Sequence, residues 1–136
     1  MAHRVLFVDD QDVILFAMRE YFTLLGYEVE CTNELEQAVT LIGQRTYSLV
    51  IADLRLTGSR GAEGLEIVRA LRGKSPSARV IMLTAYGSPE VEAEAKRCGV
   101  DAFLHKPQPL ADVARLAERL LKGLRVFPEG STPAAL

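Results

Sequence analysis

Leu49-Val50-Ile51-Ala52-Asp53 and Val80-Ile81-Met82-Leu83-Thr84 are unbroken apolar runs that each stop on a polar side chain. A strand with one wet face alternates apolar and polar residues. These two do not alternate, so both of their faces are covered, as in a parallel sheet. Working outward, the runs widen to Tyr47–Ala52 and Arg79–Thr84. Arg4–Val8, Tyr27–Cys31 and Ala102–Leu104 add three more short stretches of strand-forming residues. Helical spacing fills the intervals. Leu35, Ala38, Val39 and Ile42 recur at i, i+3, i+4, i+7 within Glu34–Gly43. Leu110, Val113, Ala114, Ala117, Leu120, Leu121 and Leu124 do so more strongly in the last segment.

The punctuation agrees with this division. Asn33 is placed to cap the second helix, with Glu36 returning a bond as in a capping box. Ser88-Pro89 supplies a cap and then a first-turn proline for the fourth helix. Gly26, Gly73 and Gly99 are expected just past helix ends, where a left-handed residue is wanted. Five strand–helix pairs in strict alternation predict an α/β doubly wound domain, with helices on both faces of the sheet. The pattern stops after Leu124, so residues 1–124 form the expected domain and 125–136 a tail or linker.

The chain has 136 residues, 49% apolar, with 16 basic against 18 acidic side chains. One domain of this length buries enough surface to need no disulfide or metal for its core. A net charge of −2 carries no electrostatic footprint for gripping nucleic acid directly. The apolar runs fall far short of the roughly 18 residues of a membrane helix, and no membrane partner is expected. Met1-Ala2-His3-Arg4 does not open a signal peptide. Cys31 and Cys98 lack CxxC spacing, which predicts reduced thiols in a cytoplasmic protein.

Ligands of open α/β sheets sit beyond the carboxyl ends of the strands. Those ends read Val8-Asp9-Asp10, Ala52-Asp53, Leu83-Thr84-Ala85 and Leu104-His105-Lys106-Pro107. Adjacent strands would bring three carboxylates, a hydroxyl and an ammonium to one edge. Crowded carboxylates repel unless a cation compensates. A donor set of oxygens alone favours a hard ion, Mg²⁺ first and Mn²⁺ next.

The four segments V-D-D-Q (8–11), I-A-D-L (51–54), L-T-A (83–85) and H-K-P (105–107), in this order and each at a strand end, resemble the receiver domain of two-component response regulators. The resemblance covers about residues 4–124. It implies a flavodoxin-like sandwich whose five-stranded parallel sheet has the order 2-1-3-4-5, an order the chemotaxis receivers exemplify. It also implies phosphorelay signalling rather than enzymatic turnover, with at most self-catalysed phosphorylation and dephosphorylation.

By that resemblance Asp53 is the phosphoacceptor. A carboxylate is ionised at neutral pH and attacks phosphorus without a base. The donor is a phosphohistidine on a sensor histidine kinase or histidine phosphotransfer protein. Asp10 and Asp53 are expected to bind Mg²⁺ directly, Asp9 through water, and Arg55 through its backbone carbonyl. Lys106, the Thr84 hydroxyl and the Ala85 N–H are expected to hold the phosphoryl oxygens. The bond before Pro107 is expected to be cis. Drawing Thr84 toward the phosphoryl opens space for Phe103, the expected switch aromatic. The fourth helix carries only a narrow stripe of Val91, Ala95 and Cys98. The surface of the fourth helix, fifth strand and fifth helix is therefore expected to change, and to serve partner binding or a homodimer. Leu116 is a candidate contact there.

Several features depart from the pattern. Thr57 stands where the family carries a proline, and Leu56–Gly64 is a few residues longer than usual, with glycines that predict a mobile lip. Arg55 and Tyr86 flank the expected water path, and their bulk is expected to slow acyl-phosphate hydrolysis. The main rival is a small haloacid-dehalogenase-type phosphatase, with Asp10-Gln11-Asp12 as its opening motif and Asp10 as nucleophile. Ile14 and the missing later acidic pair count against it. A flavin binder needs a hydroxyl- and glycine-rich loop where Asp9-Asp10-Gln11-Asp12 stands. A degenerate docking module would lack site residues, and none is missing. Pattern alone names neither kinase nor output, and the chain reads equally as a stand-alone regulator or part of a longer one.

Overall fold

A computed structural model describes residues 2–56 and 63–124. The strands are β1 (Arg4–Val8), β2 (Glu28–Thr32), β3 (Leu49–Ala52), β4 (Arg79–Thr84) and β5 (Ala102–His105). The helices are α1 (Asp12–Leu24), α2 (Leu35–Gln44), α3 (Glu63–Lys74), α4 (Pro89–Cys98) and α5 (Leu110–Leu121). All neighbouring strands pair in parallel, in the order β2-β1-β3-β4-β5.

Strand residues alternate between two cores. Leu6 and Val8 of β1 join Val50, Val80 and Met82 under Ala38 and Ile42 of α2, Ile67, Val68 and Leu71 of α3, and Ala95 of α4. Val5 and Phe7 face the other way, with Met18 and Phe22 of α1 and Val113, Ala117 and Leu120 of α5. Phe7 and Phe22 meet edge to face at 4.9 Å, a favoured aromatic geometry. Each such side chain contributes about 1.5–3 kcal/mol when fully buried. The unbroken runs of β3 and β4 follow from this arrangement, because α2, α3 and α4 cover one face and α1 and α5 the other.

The amino-terminal edge of the sheet is clamped by ion pairs. Arg72 Nη2 bonds Asp101 Oδ2 at 2.9 Å and the Gly99 carbonyl at 2.6 Å. Its Nη1 donates to the carbonyls of Pro76 and Ala78. Arg79 adds a second contact to Asp101 at 3.3 Å. Gly99 adopts φ +109°, and a Cβ there would meet Arg72 Nε at 2.8 Å, so both conformation and space require glycine. Tyr47 is buried and donates its hydroxyl to the Glu30 carboxylate. Burial, reinforced by that carboxylate, pushes its phenol far above the usual range.

Several local expectations change. The Asn33–Glu36 capping box does not form, because α2 starts one residue later with Glu34 as an unassisted cap. Thr32, buried at the end of β2, accepts from Glu34 N–H at 3.2 Å and bonds Gln37. Gly73 lies inside α3 and has no left-handed φ, unlike Gly26 and Gly99. The helix continues to Lys74, whose ammonium reaches the Ile42 and Arg45 carbonyls at 2.7 and 2.9 Å. Strand β2 runs Glu28–Thr32, one residue later than expected, β3 begins at Leu49 rather than Tyr47, and β5 extends one residue further, to His105. Leu116, the candidate contact, is half-buried against the α1–α5 core. The Ser88 cap of α4 forms as read, accepting from Val91 N–H at 3.2 Å. The expected lip is described only at Leu56, Glu63 and Gly64, and Thr57 with the tail 125–136 lies outside the described residues.

Candidate functional site

Strand register builds the site. Val8 of β1 pairs with Ala52 of β3, so Asp9 and Asp53 leave neighbouring strands side by side. Thr84 ends β4 opposite His105 of β5, and Lys106 follows with its N–H bonded to the Thr84 carbonyl at 2.9 Å. The Asp53 N–H bonds the Val8 carbonyl at 2.9 Å, continuing the ladder one residue past the strand. The start of α3 presses against the same place. A Cβ on Gly64 would overlap the Asp53 carbonyl oxygen and lie 2.8 Å from Leu54 Cα. Only glycine lets α3 approach this closely, and Leu54 and Leu56 are buried beside it.

The side chains converge. Asp9, Asp10 and Asp53 each place a carboxylate oxygen within 4.8 Å of the others. Asp9 and Asp53 are buried, at 5% and 2% exposure, whereas Asp10 faces solvent. The Lys106 ammonium donates to Asp9 Oδ2 at 2.7 Å, Asp53 Oδ2 at 2.9 Å and Gln11 Oε1 at 3.2 Å. Its three protons are thereby used. The second oxygens accept backbone N–H groups, Asp9 Oδ1 from Gln11 at 2.9 Å and Asp53 Oδ1 from Arg55 at 3.3 Å.

Three carboxylates meet one ammonium, so the cluster keeps an excess of negative charge. Burial raises the Asp9 carboxyl above its ordinary range, against the opposing pull of Lys106 and the Gln11 N–H. Burial works against the charge of Lys106 as well. Its bonds to Asp9 and Asp53, and their charges, outweigh that and raise its pKa. An oxygen-only donor set with uncompensated negative charge fits a hard divalent cation.

Around this centre, Thr84 is fully buried and its hydroxyl accepts from Tyr86 N–H at 3.1 Å. The Lys106–Pro107 peptide is cis. Ala85 is exposed and lines an apolar groove with Gln11, Ile14, Leu83, Pro107 and Leu110. Phe103 is 8% exposed, with its ring 5.5 Å from that of His105. Gly87 sits against both, since a Cβ there would lie 2.8 Å from the Phe103 ring. The Arg55 guanidinium lies over the Tyr86 ring.

Sequence reasoning missed two residues. Gln11 supplies the third acceptor of Lys106, and its place directly after the aspartate pair was the available signal. Gly64 counts in the sequence only as the last residue of the long segment Leu56–Gly64, since nothing local announces a backbone pressed against Asp53.

The reading with Asp10 as a phosphatase nucleophile gains no support. Lys106 engages Asp9 and Asp53, with no bond to Asp10 among those of the described residues. Residues 5–119 match the response regulator receiver domain family. The chain is 31% identical over 120 residues to the regulatory protein AtoC of Escherichia coli, covering 88% of this chain and 25% of that protein. It is 30% identical over 136 residues to the response regulator FleR of Pseudomonas aeruginosa, covering 100% and 28%. It thus spans about a quarter of the length of these two relatives. The crystal structure of a CheY-like receiver domain protein from Methanospirillum hungatei superimposes with a TM-score of 0.85 at 27% identity, covering 90% of this chain and 96% of that one. Motifs, sheet order and strand-end cluster converge with these likenesses: the chain belongs to the response regulator receiver domain family and is a signalling domain of two-component phosphorelays.

Proposed function

We propose that Asp53 accepts the phosphoryl group. The observation that carries this reading is its carboxylate, buried at a strand end and held from one side by Lys106 at 2.9 Å. An Asp53 oxygen attacks phosphorus in line. The N–P bond of a donor phosphohistidine breaks, and its electron pair leaves with the imidazole. Lys106 neutralises charge on the transferring group as a compact ammonium. Thr84 Oγ1 and the Ala85 N–H donate to the remaining oxygens.

Asp10, Asp53 and the Arg55 carbonyl would hold Mg²⁺ (or Mn²⁺), with Asp9 acting through water. When bound, the ion screens the carboxylates from the incoming phosphoryl and fixes the two in line. Asp10 suits this role because it is the solvent-facing carboxylate of the three.

Phe103 is the switch aromatic in this reading, and its position at the edge of the core beside Gly87 supports it. The responding surface is α4–β5–α5, through which a partner or second copy binds. Helix α4 fully buries only Ala95, so a small bias moves it. Residues 1–124 act as the receiver and 125–136 as tail or linker, phosphorylated in the cytoplasm by a sensor histidine kinase or histidine phosphotransfer protein.

The test is incubation with Mg²⁺ and acetyl phosphate. The parent should gain a single acid-stable, base-labile phosphoryl, and Asp53→Asn none. Labelling that persists in Asp53→Asn and disappears in Asp10→Asn overturns the assignment.

A further inference from the structure

Arg55 and Tyr86 stand on different loops, two residues past Asp53 and two past Thr84, and they meet. The guanidinium carbon lies 4.2 Å from the centroid of the Tyr86 ring, a cation–π contact. Each partner is also tied through its own backbone to the site beneath. Arg55 N–H donates to Asp53 Oδ1 at 3.3 Å, and Tyr86 N–H donates to Thr84 Oγ1 at 3.1 Å. The pair therefore bridges the loops that follow β3 and β4, which are neighbours in the sheet. Its outer member is an aromatic ring with 53% exposure.

We propose that this pair is a phosphoryl-sensitive clasp, closed over a bare Asp53 carboxylate and opened by a phosphoryl group on it. The inference rests on the reading of Asp53 as acceptor. A ring face attracts a guanidinium only through its quadrupole, and weakly where water reaches. A phosphoryl on Asp53 adds negative charge and three strong acceptor oxygens. These match the planar donor fork of arginine and bind it bidentately, a stronger interaction than the ring supplies. The guanidinium exchanges ring for phosphoryl, with no covalent bond made or broken.

Thr84 acts in the same direction. Turning its hydroxyl toward the phosphoryl lengthens its contact with Tyr86 N–H, so both ties on Tyr86 loosen together. Ser88, the cap of α4, lies two residues further along. The state of Asp53 is thus transmitted to an exposed aromatic and to the start of α4 by a route that shares Thr84 with the Phe103 switch and adds Arg55. Arg55 and Tyr86 are positioning residues in this account.

Nuclear magnetic resonance of the whole chain tests it. Arg55 side-chain protons over the ring carry an upfield displacement, which Tyr86→Leu identifies by removing it. Mg²⁺ with beryllofluoride, a stand-in for the phosphoryl, should move the parent's Arg55 signals toward their Tyr86→Leu positions. Asp53→Asn should show no such movement. If the Arg55 signals stay displaced while those of Thr84 and Lys106 move, the clasp is refuted and the acceptor reading survives. If no signal moves in the parent, or Asp53→Asn responds as the parent does, the acceptor reading falls and the clasp with it. Arg55 signals that already match Tyr86→Leu before any addition also refute it.

Discussion

The sheet carries an ion cluster at each end, and the two are built on opposite principles. At the amino-terminal edge, the single carboxylate Asp101 faces two guanidiniums, Arg72 and Arg79. The other donors of Arg72 are taken by the carbonyls of Gly99, Pro76 and Ala78. Asp101 Oδ2 also accepts Val80 N–H at 2.9 Å. The donors of Arg72 and both oxygens of Asp101 have partners, and this part-buried network carries one positive charge in excess. At the carboxyl edge, Asp9, Asp10 and Asp53 share one ammonium. That cluster is left short of positive charge, and the shortage is what equips it to receive a cation. The two ends thus differ in sign: positive charge is in excess around Asp101, negative charge around Asp53.

The difference can be broken experimentally, starting where the effect is largest. Arg72→Ala leaves Asp101 with only Arg79 and the Val80 N–H. It should lower unfolding free energy in urea by about 3 kcal/mol, the smaller end for a broken buried pair. Because a single carboxylate faces cationic partners there, Mg²⁺ should not restore the loss. Retained stability would show that the clamp is ornamental.

Lys106→Met leaves Asp9 and Asp53 facing each other without a cation. Without divalent ions it should lose about 2 kcal/mol, as for hydrogen bonds to charged groups. Here Mg²⁺ should restore much of the loss, since a ligand at a hundred times its Kd contributes about 2.7 kcal/mol. The same unfolding experiment with and without Mg²⁺ distinguishes the two ends of the sheet.

Asp9→Asn gives the smallest effect and the opposite sign. The raised Asp9 pKa means that the folded protein binds more protons than the unfolded chain, from the ordinary carboxylate value up to the folded one. Stability therefore falls as pH rises through that window and stays lower above it. Without divalent ions, Asp9→Asn should be slightly more stable than the parent at neutral pH and should lose that slope. Thermal unfolding across acidic to neutral pH reads both. For Lys106 the sign differs in place: its stabilisation is complete below the ordinary lysine value and is lost as pH rises through the raised one.

Much of the site was legible because its residues sit where strands stop. Asp9, Asp53, Thr84 and Lys106 each follow an apolar run, and a parallel sheet collects such positions along one edge. Less was legible where two local signals competed. Asn33 has the right chemistry for a cap, yet Thr32, fixed and buried by the pairing of β2 with β1, reaches Glu34 N–H instead. Gly73 resembles a helix stop, but Lys74 carries α3 onward to the end of α2. Val13 and Phe16 belong to an apolar run, yet they face out of α1 at 81% and 66% exposure. Arg55 and Tyr86 could be placed near the site, but not in contact with each other, because that contact joins two separate loops.

The sequence by itself determined the alternation of strands and helices and the polar residue that ends each strand. Those properties depend on hydrophobic period and turn chemistry, which are local. Only the tertiary structure decided that Lys106 bonds Asp9 and Asp53, partners 97 and 53 residues distant along the chain. It alone also showed that Gly64 must press on the Asp53 backbone and that Arg55 covers Tyr86. Such contacts depend on where strand order and loop paths bring the backbone, and no single segment carries that information.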